Sequence, residues 1–106
     1  MNRIYKSYLT RTIIASTKTL IDITFDPAKD AINIAQHELS LADAAAFELG
    51  EAVVLVDDRF DYGEVRFRAF GRVGGEARCL VFTYRDGEVR AISYRRVHAK
   101  EMRRYE

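Results

Sequence analysis

Tryptophan is absent from this 106-residue chain, and cysteine and proline each occur once. A single cysteine excludes an intrachain disulfide. With no second thiol and no Cys/His ligand spacing, there is no structural zinc site to assign. Cys79 lies in the apolar run Cys79-Leu80-Val81-Phe82 and reads as a buried strand residue. No apolar run approaches the ~20 residues that span a bilayer. Imidazole chemistry has only two positions open to it, His37 and His98. Acidic residues are missing from residues 1–20, which carry Arg3, Lys6, Arg11 and Lys18. That segment also lacks the continuous apolar stretch of a secretory signal. Its Arg/Ser/Thr-rich character is shared with transit peptides, but we read it as an N-terminal extension, mobile or partly ordered. A single domain over residues 21–106 follows. Nothing argues for export, and the expected compartment is the cytoplasm.

Six Phe and six Tyr supply the large core pieces that tryptophan does not. Hydrophobic residues make up 48% and charged residues 31%, a globular balance rather than a disordered one. The length suits one domain with one modest core. The formal net charge is +1, but it is unevenly spread. Residues 26–64 hold ten acids against two bases, Lys29 and Arg59. Residues 65–106 hold eleven bases against five acids, and ten of those bases are arginine. Arginine stays ionised and offers a planar fork that matches phosphate. Two readings follow. The basic half is a surface for a polyanion, RNA first, or it is a solvated face paired with the acidic half.

Ile21-Asp22-Ile23-Thr24-Phe25 alternates with period two and predicts a short strand. Asp26 reads as an N-cap with Pro27 at the first helical position, where a missing N–H costs nothing. A helix is expected through about His37, with Ala28, Ala31, Ile32 and Ala35 on its apolar side. Ser40-Leu41-Ala42-Asp43 resembles a capping box that opens a second helix ending near Gly50. Leu41, Ala44, Ala45 and Phe47 are its expected core residues. Residues 52–56 form an apolar, Val-rich strand. An acidic connection follows over residues 57–63. Residues 65–72 alternate, so Val65, Phe67 and Ala69 leave one face and Arg66, Arg68 and Arg72 the other. Gly74-Gly75 and Asp86-Gly87 are turns into two more strands, the second a hairpin signal. Residues 98–105 read as a charged helix. The expected architecture is α+β: an N-terminal strand and two helices packed on a mainly antiparallel four-stranded sheet, with a C-terminal helix.

Metal-free RNA cleavage has four requirements. The 2′-hydroxyl loses a proton, the leaving 5′-oxygen gains one, the phosphorane charge is neutralised, and the nucleotide is held in line. His37 ends the first helix, where a cation also suits the helix dipole, so capping and functional roles both stay open. His98 reads as a surface residue. Glu64 adjoins the strand bearing Arg66 and Arg68, and it either forms a surface ion pair or orients a better base. Asp57, Asp58, Asp61 and Glu64 are the alternative, a set of oxygen ligands for Mg²⁺. Arg90, Arg95 and Arg96 lie on or after the last strand. Arg95 and Arg96 leave opposite faces of an extended strand, so without a bend they cannot share one site. Tyr62, Tyr94 and Tyr105 are stacking or structural aromatics.

At this point the order of residues resembles a known family. Asp26-Pro27-Ala28-Lys29, then Asn33, then His37 is similar to the opening helix of the BrnT family of type II toxins. Tyr62-Gly63-Glu64-Val65-Arg66 resembles its YGExR segment. Ile92-Ser93-Tyr94-Arg95-Arg96 followed by Glu101-Met102-Arg103-Arg104-Tyr105-Glu106 resembles its ISARR…ERRxYE ending. The resemblance covers residues 23–106. Departures are Gln36-His37-Glu38-Leu39-Ser40-Leu41 where the family often has Lys-His-Gly-Val-Ser-Phe, Phe25 for Trp, and Tyr94 for Ala. The resemblance implies a RelE-like fold and a metal-independent endoribonuclease toxin that cuts RNA, arrests growth and needs no cofactor. It implies a BrnA-like antitoxin that neutralises the toxin and contacts operator DNA for the complex. The expected catalytic residues are Glu64, Arg66, Arg95, His37 and Lys29. The expected RNA-binding residues are Arg68, Arg90, Arg96 and Tyr105, and no metal ligand is assigned. The changed residues around His37 sustain a second reading: a toxin-like module that has lost cleavage and only binds a protein or nucleic acid.

Overall fold

The structure, a computed structural model, describes residues 23–106. Helix α1 spans Pro27–His37. Asp26 caps it by accepting from the Ala28 N–H at 2.9 Å, and Pro27 occupies the first position. Glu38 ends it in the left-handed region, and its N–H returns to the Ile34 carbonyl. The strands are β1 (Ile23–Thr24), β2 (Val53–Val56), β3 (Phe67–Val73), β4 (Glu76–Arg85) and β5 (Glu88–Arg96). They form one five-stranded sheet in the order β1-β5-β4-β3-β2. β1 runs parallel to β5, and the remaining neighbours are antiparallel.

The α+β class therefore stands, but the sheet is mixed and has five strands. The N-terminal strand does not pack on the sheet. It extends the sheet at the β5 edge, using backbone groups that β5 would otherwise expose. Residues 21 and 22 of the predicted strand lie outside the described residues. β3 begins at Phe67, and Val65, expected on the same strand, is exposed ahead of it.

Helix α1 corrects a second expectation. Ala28, Ala31, Ile32 and Ala35 are exposed, and the buried residue is Asn33. The reason lies in what α1 covers. Among the described residues β1 pairs with Val89 and Arg90, so the edge of β5 beyond them needs another partner. Asn33 supplies it. Its Nδ2 donates to the Tyr94 carbonyl at 2.8 Å and its Oδ1 accepts from the Tyr94 N–H at 3.0 Å. The same Nδ2 donates to the Leu39 carbonyl, which ties down the chain after the helix. A helix set against a strand edge turns polar groups inward, because buried backbone groups must be paired.

Leu41–Ala46 forms a 3-10 helix rather than an α-helix, and a further 3-10 turn covers Leu49–Glu51. Its capping box is present: Ser40 Oγ accepts from Ala42 N–H and Asp43 accepts from Ser40 N–H. Leu41, Ala44 and Phe47 are buried, while Ala45 faces solvent. They pack on one face of the sheet against Val54, Ala69, Leu80, Phe82 and Tyr94. Gly71 permits this approach, since a Cβ there would sit 3.0 Å from the Phe47 ring. The other face holds Leu55, Phe70, Cys79 and Val97, covered by Met102. Met102 ends the short helix α2 (Ala99–Met102), which continues as a 3-10 turn over Arg103–Tyr105. Between β4 and β5 the pairing slips: Val81 faces Ser93, but Phe82 faces Ala91. Ile92 is the extra residue of a bulge, a device that re-aims the side chains beyond it.

Candidate active site

Strand pairing assembles the site from distant segments. Arg68 on β3 lies across from Val81 on β4, and Val81 across from Ser93 on β5. The next row is Phe70, Cys79 and Arg95. Of these rows, Val81, Ser93 and Cys79 floor a cleft of about 270 Å³ whose walls include His37, Arg59, Tyr62, Arg66, Arg68 and Arg95. A shallower depression of about 170 Å³ holds Lys29, Asn33 and Gln36 along α1. Ile92 and Ser93 line both, so the two depressions adjoin at the bulge.

Asp57 anchors one wall. Its backbone N–H donates to the Arg66 carbonyl at 2.7 Å, extending the β2–β3 pairing by one residue. Its carboxylate is buried, with 1% of the side chain exposed. It accepts from Arg59 Nε at 2.6 Å, from Arg59 Nη2 at 2.8 Å and from the Tyr62 hydroxyl at 3.2 Å. Arg68 Nε stands 4.0 Å away. The hydrogen bonds from Arg59 hold this carboxyl below its ordinary range against the opposing effect of burial. The Tyr62 ring in turn carries the Arg66 guanidinium at 4.1 Å.

Each of the other named residues has a clear position. Glu64 stands behind Arg66, accepting from Arg66 Nε at 3.2 Å and from Arg85 Nη2 at 3.1 Å. Arg95 donates both Nη groups to Glu101 of α2, at 3.2 and 3.0 Å. That pairing, through its hydrogen bonds first, lowers the Glu101 carboxyl and raises the Arg95 guanidinium. His37, the last residue of α1, lines the cleft. Burial pushes the Cys79 thiol up to about 11, so it stays protonated on the cleft floor.

The structure thus brings together His37, Arg66, Arg68 and Arg95, with Lys29 in the adjoining depression and Glu64 behind Arg66. It does not bring in Arg90 or Tyr105, and it brings Arg96 only to the backbone beside the cleft, where Nη1 donates to the His37 carbonyl at 3.4 Å. Arg90 is exposed on β5 outside both depressions. Arg96 is opposite Arg78, where both guanidiniums bond Glu76. Tyr105 stacks on Phe70 with centroids 3.8 Å apart. It lines a larger depression of about 470 Å³ that also carries Glu48, Glu51 and Glu106. Those carboxylates would repel a phosphate, so size does not select the site. Asp57, Asp58, Asp61 and Glu64 do not gather. Asp57 is committed to Arg59, Asp61 accepts from Gly63 N–H, and no metal-binding group of three or more His, Cys, Asp or Glu occurs among the described residues. Arg59 and Glu101 were not nominated from the sequence. The available signals were an acid two positions before Arg59 and the place of Glu101 in the C-terminal motif.

Comparison with known proteins gives the family. The family model described as "ribonuclease toxin, BrnT, of type II toxin-antitoxin system" matches residues 25–101. A crystal structure of the Brucella abortus ribonuclease toxin BrnT is similar, with 26% sequence identity and a TM-score of 0.59. The match covers 74% of this chain and 97% of that one. No curated protein matches. A match over most of the chain, and a toxin structure aligned along nearly its whole length, make this chain a member of the BrnT family of ribonuclease toxins of type II toxin–antitoxin systems.

Proposed function

We propose that this toxin binds and cuts RNA in the arginine-lined cleft, by metal-independent transesterification. In that reaction the 2′-oxygen attacks phosphorus, the 5′-oxygen leaves, and two protons change hands. Arg66 and Arg95 neutralise the phosphorane charge, as fixed donors do at developing charge. Arg68 raises the potential of the floor, and Lys29 holds an adjoining phosphate along the groove. Glu64 accepts from two guanidiniums, so it orients Arg66 rather than moving a proton. His37 is the proton carrier at the cleft edge, taking the proton from the 2′-hydroxyl and returning it to the leaving 5′-oxygen. The observation that supports this reading is the convergence of Arg59, Arg66, Arg68 and Arg95 on one cleft beside His37.

The fold is read as RelE-like, with residues 21–106 as the toxin domain and residues 1–20 as an extension. A BrnA-like antitoxin silences the toxin by covering the groove and supplies the operator-DNA contacts of the complex. The work is cytoplasmic, and no helix among the described residues is long and apolar enough to cross a membrane. Two assays test the site. Arg95→Ala and Glu64→Ala are expected to abolish growth arrest at equal expression, and arrest surviving both removes the assignment. Purified toxin is expected to cleave total RNA equally with and without EDTA. Cleavage lost in EDTA would overturn metal independence, and no cleavage at high protein would leave a binding module.

A further inference from the structure

We infer that Arg59 is a further phosphate-binding residue of the cleft and that the buried Asp57 is its positioning residue. This rests on the cleft being the RNA site. Asp57 binds Arg59 side-on, through Nε and Nη2. A guanidinium has five N–H groups, and a side-on carboxylate uses two of them. The end-on fork, Nη1 with the remaining Nη2 proton, is left to a ligand. The Arg59 side chain is 48% exposed while its anchor is 1% exposed, so the cation is held at its inner edge and open at its outer one. That geometry suits an anionic oxygen pair and fixes the cation before the ligand arrives.

Asp57 acts on more than Arg59. It also accepts from the Tyr62 hydroxyl, and Tyr62 carries Arg66. One buried carboxylate therefore sets the direction of two cleft cations. An arginine pinned to a carboxylate at neutral pH cannot serve as a proton donor, so its contribution is charge and placement.

The test uses full-length toxin, a single-stranded RNA oligonucleotide for cleavage and its 2′-O-methyl analogue for binding by anisotropy against salt. Arg59→Gln is expected to lower affinity and to reduce the slope of log K against log salt by about 0.7, the value for one single-strand phosphate contact. Arg59→Lys keeps the slope but lowers kcat roughly 10-fold, since a point charge replaces the fork. Asp57→Asn lowers kcat further than Arg59→Lys, since it also releases Tyr62, and in the Arg59→Lys background its added loss is smaller than in the wild type, because part of both changes removes the same placement. An unchanged slope and rate in Arg59→Gln overturns the phosphate role. An Asp57→Asn loss that is undiminished in the Arg59→Lys background overturns the positioning role. If Asp57→Asn fails to fold, Tyr62→Phe replaces it and is expected to lower kcat with KM nearly unchanged; no loss there overturns the positioning of Arg66. Wild-type protein that binds the analogue but cuts nothing defeats the cleavage reading while leaving the Arg59 binding arm decisive.

Discussion

Arg95 shows how a surface charge becomes part of a site. Its two Nη groups are held by Glu101, so the guanidinium reaches the cleft in one orientation instead of sampling many. Glu101→Gln keeps the shape but weakens the clamp. It should lower the single-turnover cleavage rate roughly 10-fold, in line with the cost of small misplacements. Acid should act on the same pairs. The Asp57 and Glu101 carboxyls are both held low by arginine in the folded chain. Their contribution to stability is therefore present above the ordinary carboxylate pKa of about 4 and is lost as pH falls through the depressed folded values. Urea unfolding between pH 7 and pH 3 should show this loss, and Asp57→Asn should flatten part of it. The pairs are partly solvated, so each contribution is modest.

At the scale of elements, α1 matters most. Its start was legible from Asp26 and Pro27, because capping and proline chemistry are local. Its buried face was not, because small apolar residues mark a core face only if the helix lies on a sheet face. Here it lies on a strand edge, and Asn33 makes two hydrogen bonds to that edge and a third to the Leu39 carbonyl. Asn33→Leu should destabilise the protein by about 2–4 kcal/mol, since it strands buried backbone groups of Tyr94 and Leu39. Denaturant unfolding at constant m-value would measure it. The β5 bulge is a second feature of this kind. Ile92 carries no glycine-like signal, yet it places Ser93 and Arg95 on the cleft side and Tyr94 in the core.

For the whole molecule, the uneven charge now has a location. The basic half supplies Arg66, Arg68 and Arg95 to the cleft, while the acidic half supplies Asp57 beneath Arg59 and Glu64 behind Arg66. Pairing with the acidic half accounts for Arg66 and Arg85, which both bond Glu64, and the cleft face of the basic half is the one proposed for RNA. With four arginines and Lys29 engaged, binding of uncleavable single-stranded RNA should fall with salt at a slope of roughly −3.5. A slope near zero would place the RNA elsewhere. The antitoxin, if it covers the groove, should compete with that RNA in the same anisotropy assay.

The amino-acid sequence alone determined what depends on neighbours along the chain: the cap of α1, the Ser40 box, the turns at Gly74-Gly75 and Asp86-Gly87, and the shared face of Arg66 and Arg68. It also carried the motifs by which the family is recognised. Tertiary structure alone decided which arginines matter together. Arg95 met Glu101 and Arg96 turned to Glu76. A strand's two faces differ by one residue of register, and an arginine's direction is set by the carboxylate it finds. Neither is written in local spacing, because both arise only when separate segments pack.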